Sequence, residues 1–263
     1  MLRTWSRFHP ATVTRIGKTV VRDAAPWSAT VHSLLQHFED VGFMGAPRLV
    51  GSGFDATGRE VLTYLEGEFV QPGPWTLDGA ASIGVLLREL HTATSSYRVP
   101  ADAIWYSWFG RNLGSRKRVI SHCDVAAWNI VAREGRAVAF IDWDRAGPVD
   151  PLVEVAQACW LNAKLHDDRV AEREGLPSAA ERARQVRALA DGYGLAASDR
   201  QELTERILEF TVHAAADEAD LADIIAESSP DQLDRQVPWA LAWRIRAAAW
   251  QLRHRRLLEQ ALA

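Results

Sequence analysis

The sequence predicts an α+β protein with a small β-rich N-terminal lobe and a larger, mainly helical C-terminal lobe. Short runs rich in Val, Ile and Thr, separated by glycine turns, occupy the first third of the chain. Segments rich in Ala, Leu, Glu and Arg, with apolar residues at helical spacing, fill most of the remainder. A stretch containing Gly, Pro and Gln at 67–74 separates the two patterns. We therefore expect one lobe over 1–67 and a second over 68–263.

The N-terminal lobe is predicted to hold two strand pairs and one helix. Residues 11–16 and 18–22 are rich in β-branched residues with Gly17 between them, which predicts a hairpin. A second strand pair is expected at 49–50 and 60–65. The helix between the two pairs is predicted to carry its apolar residues on one face: Val31, Leu34, Leu35 and Phe38.

The C-terminal lobe is predicted to be helical except for one segment. Helices are expected to end near His91 and to cover 178–195, 199–227 and 231–262. The exception begins with a strand at 119–121 and a polar loop, and continues as a hairpin with strands at 130–131 and 137–141. Because polar residues stand at both ends of this hairpin, we expect the chemistry of the protein there.

Composition excludes several classes of protein. The chain has 263 residues, of which 48% are hydrophobic, so it has enough apolar material for a core. A net charge of −4 argues against a nucleic-acid partner. Two cysteines cannot build a disulfide framework or a four-ligand zinc site, and no apolar stretch is long enough to span a membrane. With no secretory signal pattern, the sequence predicts a cytoplasmic protein without a membrane partner.

Four polar residues around the hairpin form a pattern that suits phosphoryl transfer. His122, Asp124 and Asn129 lie in the loop before the hairpin, and Asp142 follows its second strand. An amide oxygen and a carboxylate are ligands that Mg²⁺ accepts together with phosphate oxygens and water. The other carboxylate, Asp124, remains available to orient a hydroxyl group and accept its proton. We interpret the four residues together as a site of phosphoryl transfer rather than as ordinary polar groups that cap a hairpin.

This segment resembles the catalytic core of the aminoglycoside phosphotransferase family, which shares a two-lobed protein-kinase-like fold with choline kinases. The family pattern H-x-D-x-x-x-x-N, then a hydrophobic strand and I-D-W, stands at 122–143. The resemblance implies that Asp124 is catalytic and that His122 orders the catalytic loop. It also implies that Asn129 and Asp142 bind Mg²⁺, and that residues 1–67 form the nucleotide-binding lobe. The implied reaction transfers the γ-phosphate of ATP or GTP to a hydroxyl of a small molecule.

The same resemblance implies a nucleotide site built by both lobes. Arg22 stands where the family usually has a lysine that grips phosphates, and Lys18 is the alternative. Thr63 and Leu65 fall at the hinge, whose backbone would pair with the adenine edge, and Ile141 precedes the metal aspartate.

The sequence departs from the family pattern at further places around this site. The helix after Pro26 has Val31, His32 and Ser33 where a glutamate should pair with the phosphate-gripping base. Glu154 stands where an aspartate usually anchors the catalytic loop.

The acceptor is not identified by the sequence. Four acidic residues in one helical segment are either a solvated face or part of a cleft for a cationic acceptor: Asp217, Glu218, Asp220 and Asp223. Three tryptophans in the last segment are either core residues or part of an acceptor pocket: Trp239, Trp243 and Trp250. The alternative function is a catalytically weak, nucleotide-binding pseudoenzyme with a protective or regulatory role. A protein acceptor is disfavoured because few residues separate Asp142 from the next helix, and the oligomeric state is not predicted.

Overall fold

The computed structural model describes residues 13–71, 73–229 and 233–263 and has the predicted α+β, two-lobed architecture. Its N-terminal part contains a four-stranded antiparallel sheet with the strand order β1-β2-β4-β3. The elements of this lobe are β1 (Thr14–Ile16), β2 (Thr19–Arg22), α1 (Ser28–Asp40), β3 (Leu49–Phe54) and β4 (Glu60–Thr63). The predicted apolar face of α1 is fully buried, because its four apolar residues pack into the hydrophobic core.

The C-terminal part is mainly helical and carries two short strand pairs. The pair β5–β8 and the hairpin β6–β7 are both antiparallel. The elements are α2 (Leu77–Thr94), β5 (Val119–Ser121), β6 (Ile130–Arg133), β7 (Arg136–Phe140), β8 (Gly147–Val149), α3 (Pro151–Asn162), α4 (Asp168–Glu174), α5 (Ala179–Tyr193), α6 (Ala197–Leu221), α7 (Val237–Arg253) and α8 (Arg255–Leu262). Within the described ranges, no helix is both long and apolar enough to cross a membrane.

The boundaries differ from prediction at several ends. The strand expected to reach residue 65 ends at Thr63, and the hairpin strand expected to reach residue 141 ends at Phe140. The single helix predicted at 231–262 is two helices, since the chain bends at His254, whose Nδ1 contacts the Trp250 carbonyl oxygen at 2.9 Å. Strand β8 and helix α4 were not predicted. Predicted elements that include residues 11–12, 72 and 230–232 lie partly outside the described residues.

Helices α2 and α5 pack closely because each contributes a glycine to their contact. A side chain at Gly84 would overlap the Leu189 carbonyl, and one at Gly192 would overlap the Ala81 carbonyl. Within this pair, α2 also packs against β5 and β7, the strands next to the loop of 122–129, and α3 contacts both α2 and α5.

The boundary between the lobes at residue 67 stays a prediction.

Candidate active site

Helix α3 fixes the backbone of the loop between β5 and β6. The carboxylate of Glu154 accepts a hydrogen bond from the Cys123 amide at 2.6 Å. Gln157 accepts from the Val125 amide at 3.1 Å and donates to the Cys123 carbonyl at 3.2 Å. The loop around Asp124 is therefore held by the buried polar side chains of a core helix. Glu154 was predicted to stand at the anchoring position, whereas Gln157 was missed because a buried glutamine on a helix has no local sequence signal.

Glu154 is itself held by a buried network. Its second carboxylate oxygen lies 2.8 Å from Nε2 of His91, which also lies 2.9 Å from the Ser121 hydroxyl. Burial alone would raise the pKa of Glu154, but the bonds from His91, Ser121 and the Cys123 amide lower it. Glu154 is therefore a carboxylate at neutral pH, able to accept the Cys123 hydrogen bond.

Three of the predicted site residues, His122, Asp124 and Asn129, are in direct contact in this loop. Asn129 donates from Nδ2 to the Asp124 carboxylate at 3.0 Å and to the Asp124 carbonyl at 3.1 Å. Nε2 of His122 lies 2.8 Å from the Ile141 carbonyl, and Nδ1 of His122 accepts from the Asp124 amide at 3.2 Å. Both ring nitrogens of His122 thus bond to backbone, which ties the loop to the end of the hairpin. Asp124 is one of the carboxylates that line the cavity.

Asp142 has an unusual backbone conformation at the end of the hairpin. Its φ angle is +63°, in the left-handed region that non-glycine residues rarely adopt. Arg111 holds the turn that follows by donating hydrogen bonds to the carbonyls of Arg145, Ala146 and Pro148 at 2.9, 3.0 and 3.2 Å. The surrounding structure therefore fixes a backbone shape that the Asp142 residue alone would not favour.

Arg22 joins the two lobes at this point. Nη1 lies 3.3 Å from the Asp142 carboxylate and Nη2 lies 2.7 Å from the Asp144 carboxylate. On the other side, Nε of Arg22 forms an ion pair with Glu60 at 2.6 Å. Burial alone would lower the pKa of Arg22, but Asp144, Glu60 and Asp142 raise it. Arg22 is therefore a permanent cation next to the predicted metal aspartate, whereas Lys18 is exposed at the hairpin turn.

Glu60, on a strand, forms the ion pair with Arg22 that was expected from a glutamate on helix α1. It lies on β4 in register with Arg22 on β2, and its side chain is 1% exposed. Helix α1 contributes His32 instead, whose Nε2 lies 2.9 Å from Glu60. Gly53 has φ +82° and makes room for this ring, because a Cβ at Gly53 would lie 2.6 Å from Nδ1 of His32. The hydrogen bond from His32 and the charge of Arg22 lower the pKa of Glu60 despite burial.

The residues at this point fit a divalent cation bound with phosphates. Asp124, Asp142 and Asp144 bring three carboxylates to this end of the site, and Arg22 contacts two of them. Asn129 directs Nδ2 to Asp124, so its Oδ1 is the amide atom suited to a cation. Within the described part of the chain, no three His, Cys, Asp or Glu side chains form a metal cluster by themselves. Besides carboxylates, the ligands that the site offers a metal are the amide oxygen of Asn129, phosphate oxygens and water.

The other residues predicted to bind the nucleotide lie at the end of β4 and next to Asp142. Thr63 ends β4, and its amide and hydroxyl exchange hydrogen bonds with the backbone of Arg48, both at 2.8 Å. Leu65 follows the strand and is half-buried, as is Ile141 beside Asp142. Adenine recognition at the hinge by Thr63 and Leu65, and cofactor binding by Ile141, stay predictions.

A cavity of about 740 Å³ opens next to Asp124 and extends into the helical lobe. Asp142 and Asp144 line its near end. Aromatic rings form much of its wall: Trp27, Tyr106, Phe109, Trp128, Trp160, Phe210, Trp239 and Trp243. Two of the three tryptophans considered above therefore line a pocket, whereas Trp250 is fully buried in the core and donates to Asp168 at 2.8 Å.

The helical wall of the cavity is electrically balanced. Between residues 157 and 244 its charged side chains are Lys164, Arg173, Arg244, Glu174, Asp217 and Glu218. Arg244 forms an ion pair with Glu218 at 3.2 Å, and Arg145 and Arg244 oppose the rise that burial causes in the pKa of Asp217. Asp220 and Asp223 lie outside the wall. Although the helix is rich in acids, the cavity has no acidic surplus on this side.

The chain belongs to the phosphotransferase enzyme family, whose sequence model matches residues 88–205. This confirms the family that the motif predicted. The chain is 52% identical over 252 residues to the trifolitoxin immunity protein of Rhizobium leguminosarum bv. trifolii, an alignment that covers 96% of this chain and 95% of that protein.

Solved structures confirm the two-lobed, protein-kinase-like fold. Amicoumacin kinase hAmiN, solved with AMP-PNP, Ca²⁺ and Ami, superposes with a TM-score of 0.64 at 12% identity and covers 92% of this chain and 89% of its own. A choline/ethanolamine kinase family protein from Mesorhizobium loti has a TM-score of 0.55 at 14% identity, and the superposition covers 95% of this chain and 88% of that protein. The fold and family are those of small-molecule phosphotransferases.

Proposed function

We propose that this protein transfers the γ-phosphate of ATP or GTP to a hydroxyl group of a small molecule. The observation that carries the proposal is the convergence of four side chains at one end of the cavity: Asp124 and Asp142 line it, Asn129 contacts Asp124, and Arg22 contacts Asp142. The cavity would hold the acceptor with its hydroxyl near Asp124. A small molecule in the cytoplasm, rather than nucleic acid or a membrane, is the partner that such a cavity suits.

Each of these residues has a proposed part in the transfer. The acceptor oxygen attacks the γ-phosphorus, the bond from phosphorus to the bridging oxygen breaks, and the nucleoside diphosphate leaves. Asp124 orients the hydroxyl and accepts its proton. Arg22 grips phosphate oxygens, which a guanidinium can contact with two N–H groups. Asn129 and Asp142 would hold Mg²⁺, which when bound supplies neutralisation of phosphate charge.

The relationship to an immunity protein suggests what the transfer achieves. We propose that the acceptor is a toxic compound and that its phosphorylation protects the cell. The alternative, a nucleotide-binding protein that protects by sequestering its ligand, is favoured by the same relationship and by the arginine at position 22. The four intact polar residues at 122–142 favour the enzyme.

Protection with and without Asp124 tests the two functions against each other. The wild-type chain, the Asp124→Asn variant and a control variant at an exposed aspartate, Asp102→Asn, are expressed in a trifolitoxin-sensitive strain. Phosphoryl transfer predicts that the wild type and Asp102→Asn protect and that Asp124→Asn does not, at equal protein levels. Equal protection by all three would contradict the enzyme and favour sequestration. Competition of ATP with GTP for the purified protein identifies the donor.

A further inference from the structure

Lys164 is a buried cation in the cavity wall that the transfer chemistry does not use. It is one of three lysines in the chain, and it is 2% exposed. Its Nζ donates a hydrogen bond to the Gln71 side chain. Among the residues described, no carboxylate oxygen lies within 4.0 Å of Nζ of Lys164, so the ammonium forms no ion pair there. A buried ammonium without a carboxylate partner is unusual, because burial of an unpaired charge is costly.

The backbone around Lys164 is rigidly held. Lys164 has φ +52°, in the left-handed region, at the turn that follows α3. The guanidinium of Arg182, also buried, donates to the carbonyls of Lys164 and His166 at 3.0 and 2.8 Å. Burial lowers the pKa of the Lys164 ammonium, and Glu174 opposes this only in part. A strained turn thus places a cation, short of negative charge, in the wall of the cavity.

Aromatic rings surround the same part of the cavity. The ring of Trp243 lies 4.8 Å from that of His166 and 5.3 Å from that of Trp160. Trp160 in turn lies 6.0 Å from Phe210. Such a wall binds flat apolar rings by contact area. The charges of this helical wall are balanced, and the remaining carboxylates of the cavity, Asp124, Asp142 and Asp144 among them, lie at the end where phosphates are proposed to bind.

We propose that the acceptor is an aromatic or heteroaromatic hydroxyl compound with one anionic group, whose ring lies against Trp243 and whose anion pairs with Lys164. That this compound is the phosphoryl acceptor rests on the proposed function, but its binding to Trp243 and Lys164 does not depend on catalysis. It replaces the cationic acceptor that the acidic helix suggested with one of opposite charge.

Three probes that share one ring and differ in charge test the proposal. They are 6-hydroxy-2-naphthoate, its neutral carboxamide and its cationic aminomethyl analogue, titrated calorimetrically into the full-length protein at about pH 7.5. We expect the anion to bind about 10-fold more tightly than the amide, and the cation to bind most weakly, since a charge-assisted contact is worth about that factor. Equal binding of the three, or tightest binding of the cation, would overturn the proposal.

Variants locate the anion. Lys164→Met should remove the preference for the anion while leaving the amide within about 2-fold, and Trp243→Leu should weaken all three probes. Lys117→Met, which changes an exposed lysine outside the cavity, is the matched control and should behave as wild type. A preference that survives Lys164→Met overturns the assignment. If Lys164→Met does not fold, the three probes are compared in the wild type and in Lys164→Arg. Both proteins keep the positive charge and should prefer the anion, and loss of the preference in a folded Lys164→Arg would overturn the assignment only if the wild type also lacks it.

The outcomes separate this inference from the proposed function. Nucleotide binding and turnover are measured on the same samples. An anion preference in a protein that does not bind nucleotide would contradict the proposed function and leave the binding site standing. Phosphoryl transfer without an anion preference would contradict the inference alone.

Discussion

Replacing Glu60 by Gln removes one charge from the buried contact that holds Arg22. Glu60 lies 2.6 Å from Arg22 and 2.9 Å from His32, out of contact with solvent. Losing one partner of a buried ion pair costs about 3–5 kcal/mol when the other charge is left unpaired. Arg22 keeps Asp142 and Asp144 as partners, so we expect a loss of about 2–3 kcal/mol of unfolding free energy.

The same substitution should change the metal dependence of nucleotide binding. Without Glu60, the charge of Arg22 is shared only between Asp142 and Asp144, so Asp142 is held more tightly by Arg22. A metal must then compete with a stronger partner. We expect the Mg²⁺ concentration that gives half-maximal ATP binding to rise several-fold in Glu60→Gln.

Urea unfolding and ATP titration measure the two effects, and Glu66→Gln is the control. Glu66 faces Arg15 at 3.9 Å, with its side chain 76% exposed, so its removal should cost less than about 1 kcal/mol. A cycle with Arg22→Gln should give a coupling energy above about 1 kcal/mol between Arg22 and Glu60. The reasoning is refuted if Glu60→Gln and Glu66→Gln are equally stable, or if the cycle shows no coupling.

Three further predictions concern the metal site, the loop anchor and a buried histidine. Asp142→Asn should weaken Mg²⁺-dependent ATP binding with little loss of thermal stability; unchanged metal dependence would move the metal site elsewhere. Glu154→Gln should lower the unfolding free energy by about 2–3 kcal/mol, and it should lower turnover more than ATP affinity, since the Cys123 amide loses an ionised acceptor. A loss of stability with unchanged turnover would argue against an anchoring role for Glu154. Burial, with Lys164 and Arg182 nearby, holds the pKa of His166 well below its ordinary 6.5, so the unfolded chain binds the proton first as the pH falls. Stability should therefore decline below about pH 6.5, and His166→Gln should recover about 1 kcal/mol of that decline at about pH 5.5, measured by urea unfolding. If the unfolding free energies of the wild type and His166→Gln fall in parallel with pH, His166 is not the cause of the decline.

The local part of this site could be predicted from the sequence. Asp124, Asn129 and Asp142 stand in one short segment whose spacing carries the chemistry, and the strands and helices around them have regular apolar patterns. The fold class followed from the same patterns. The break at His254 was missed because Ala, Trp, Leu and Arg continue a helical pattern through it.

Contacts between distant segments could not be predicted. Glu60 partners Arg22 through the register of two strands that are separated by a helix and a third strand, so no spacing in the sequence signals it. The acids of α6 were equally ambiguous, because Asp217 and Glu218 meet Arg145 and Arg244 only in the folded lobe. The sequence supplied the residue types, and the tertiary structure decided which charges are neutralised.

Transfer of labelled γ-phosphate is the most direct measurement of the central claim. Wild-type protein, Asp124→Asn and Asp102→Asn are incubated with Mg²⁺, γ-labelled ATP and a panel of hydroxyl compounds that includes aromatic acids, amines and sugars. We predict that the wild type and Asp102→Asn label at least one acceptor, and that Asp124→Asn labels it at least about 100-fold more slowly while binding ATP normally. An acceptor labelled at equal rates by all three proteins would contradict the assignment of Asp124, and failure of the wild type to bind ATP would contradict the phosphotransferase itself.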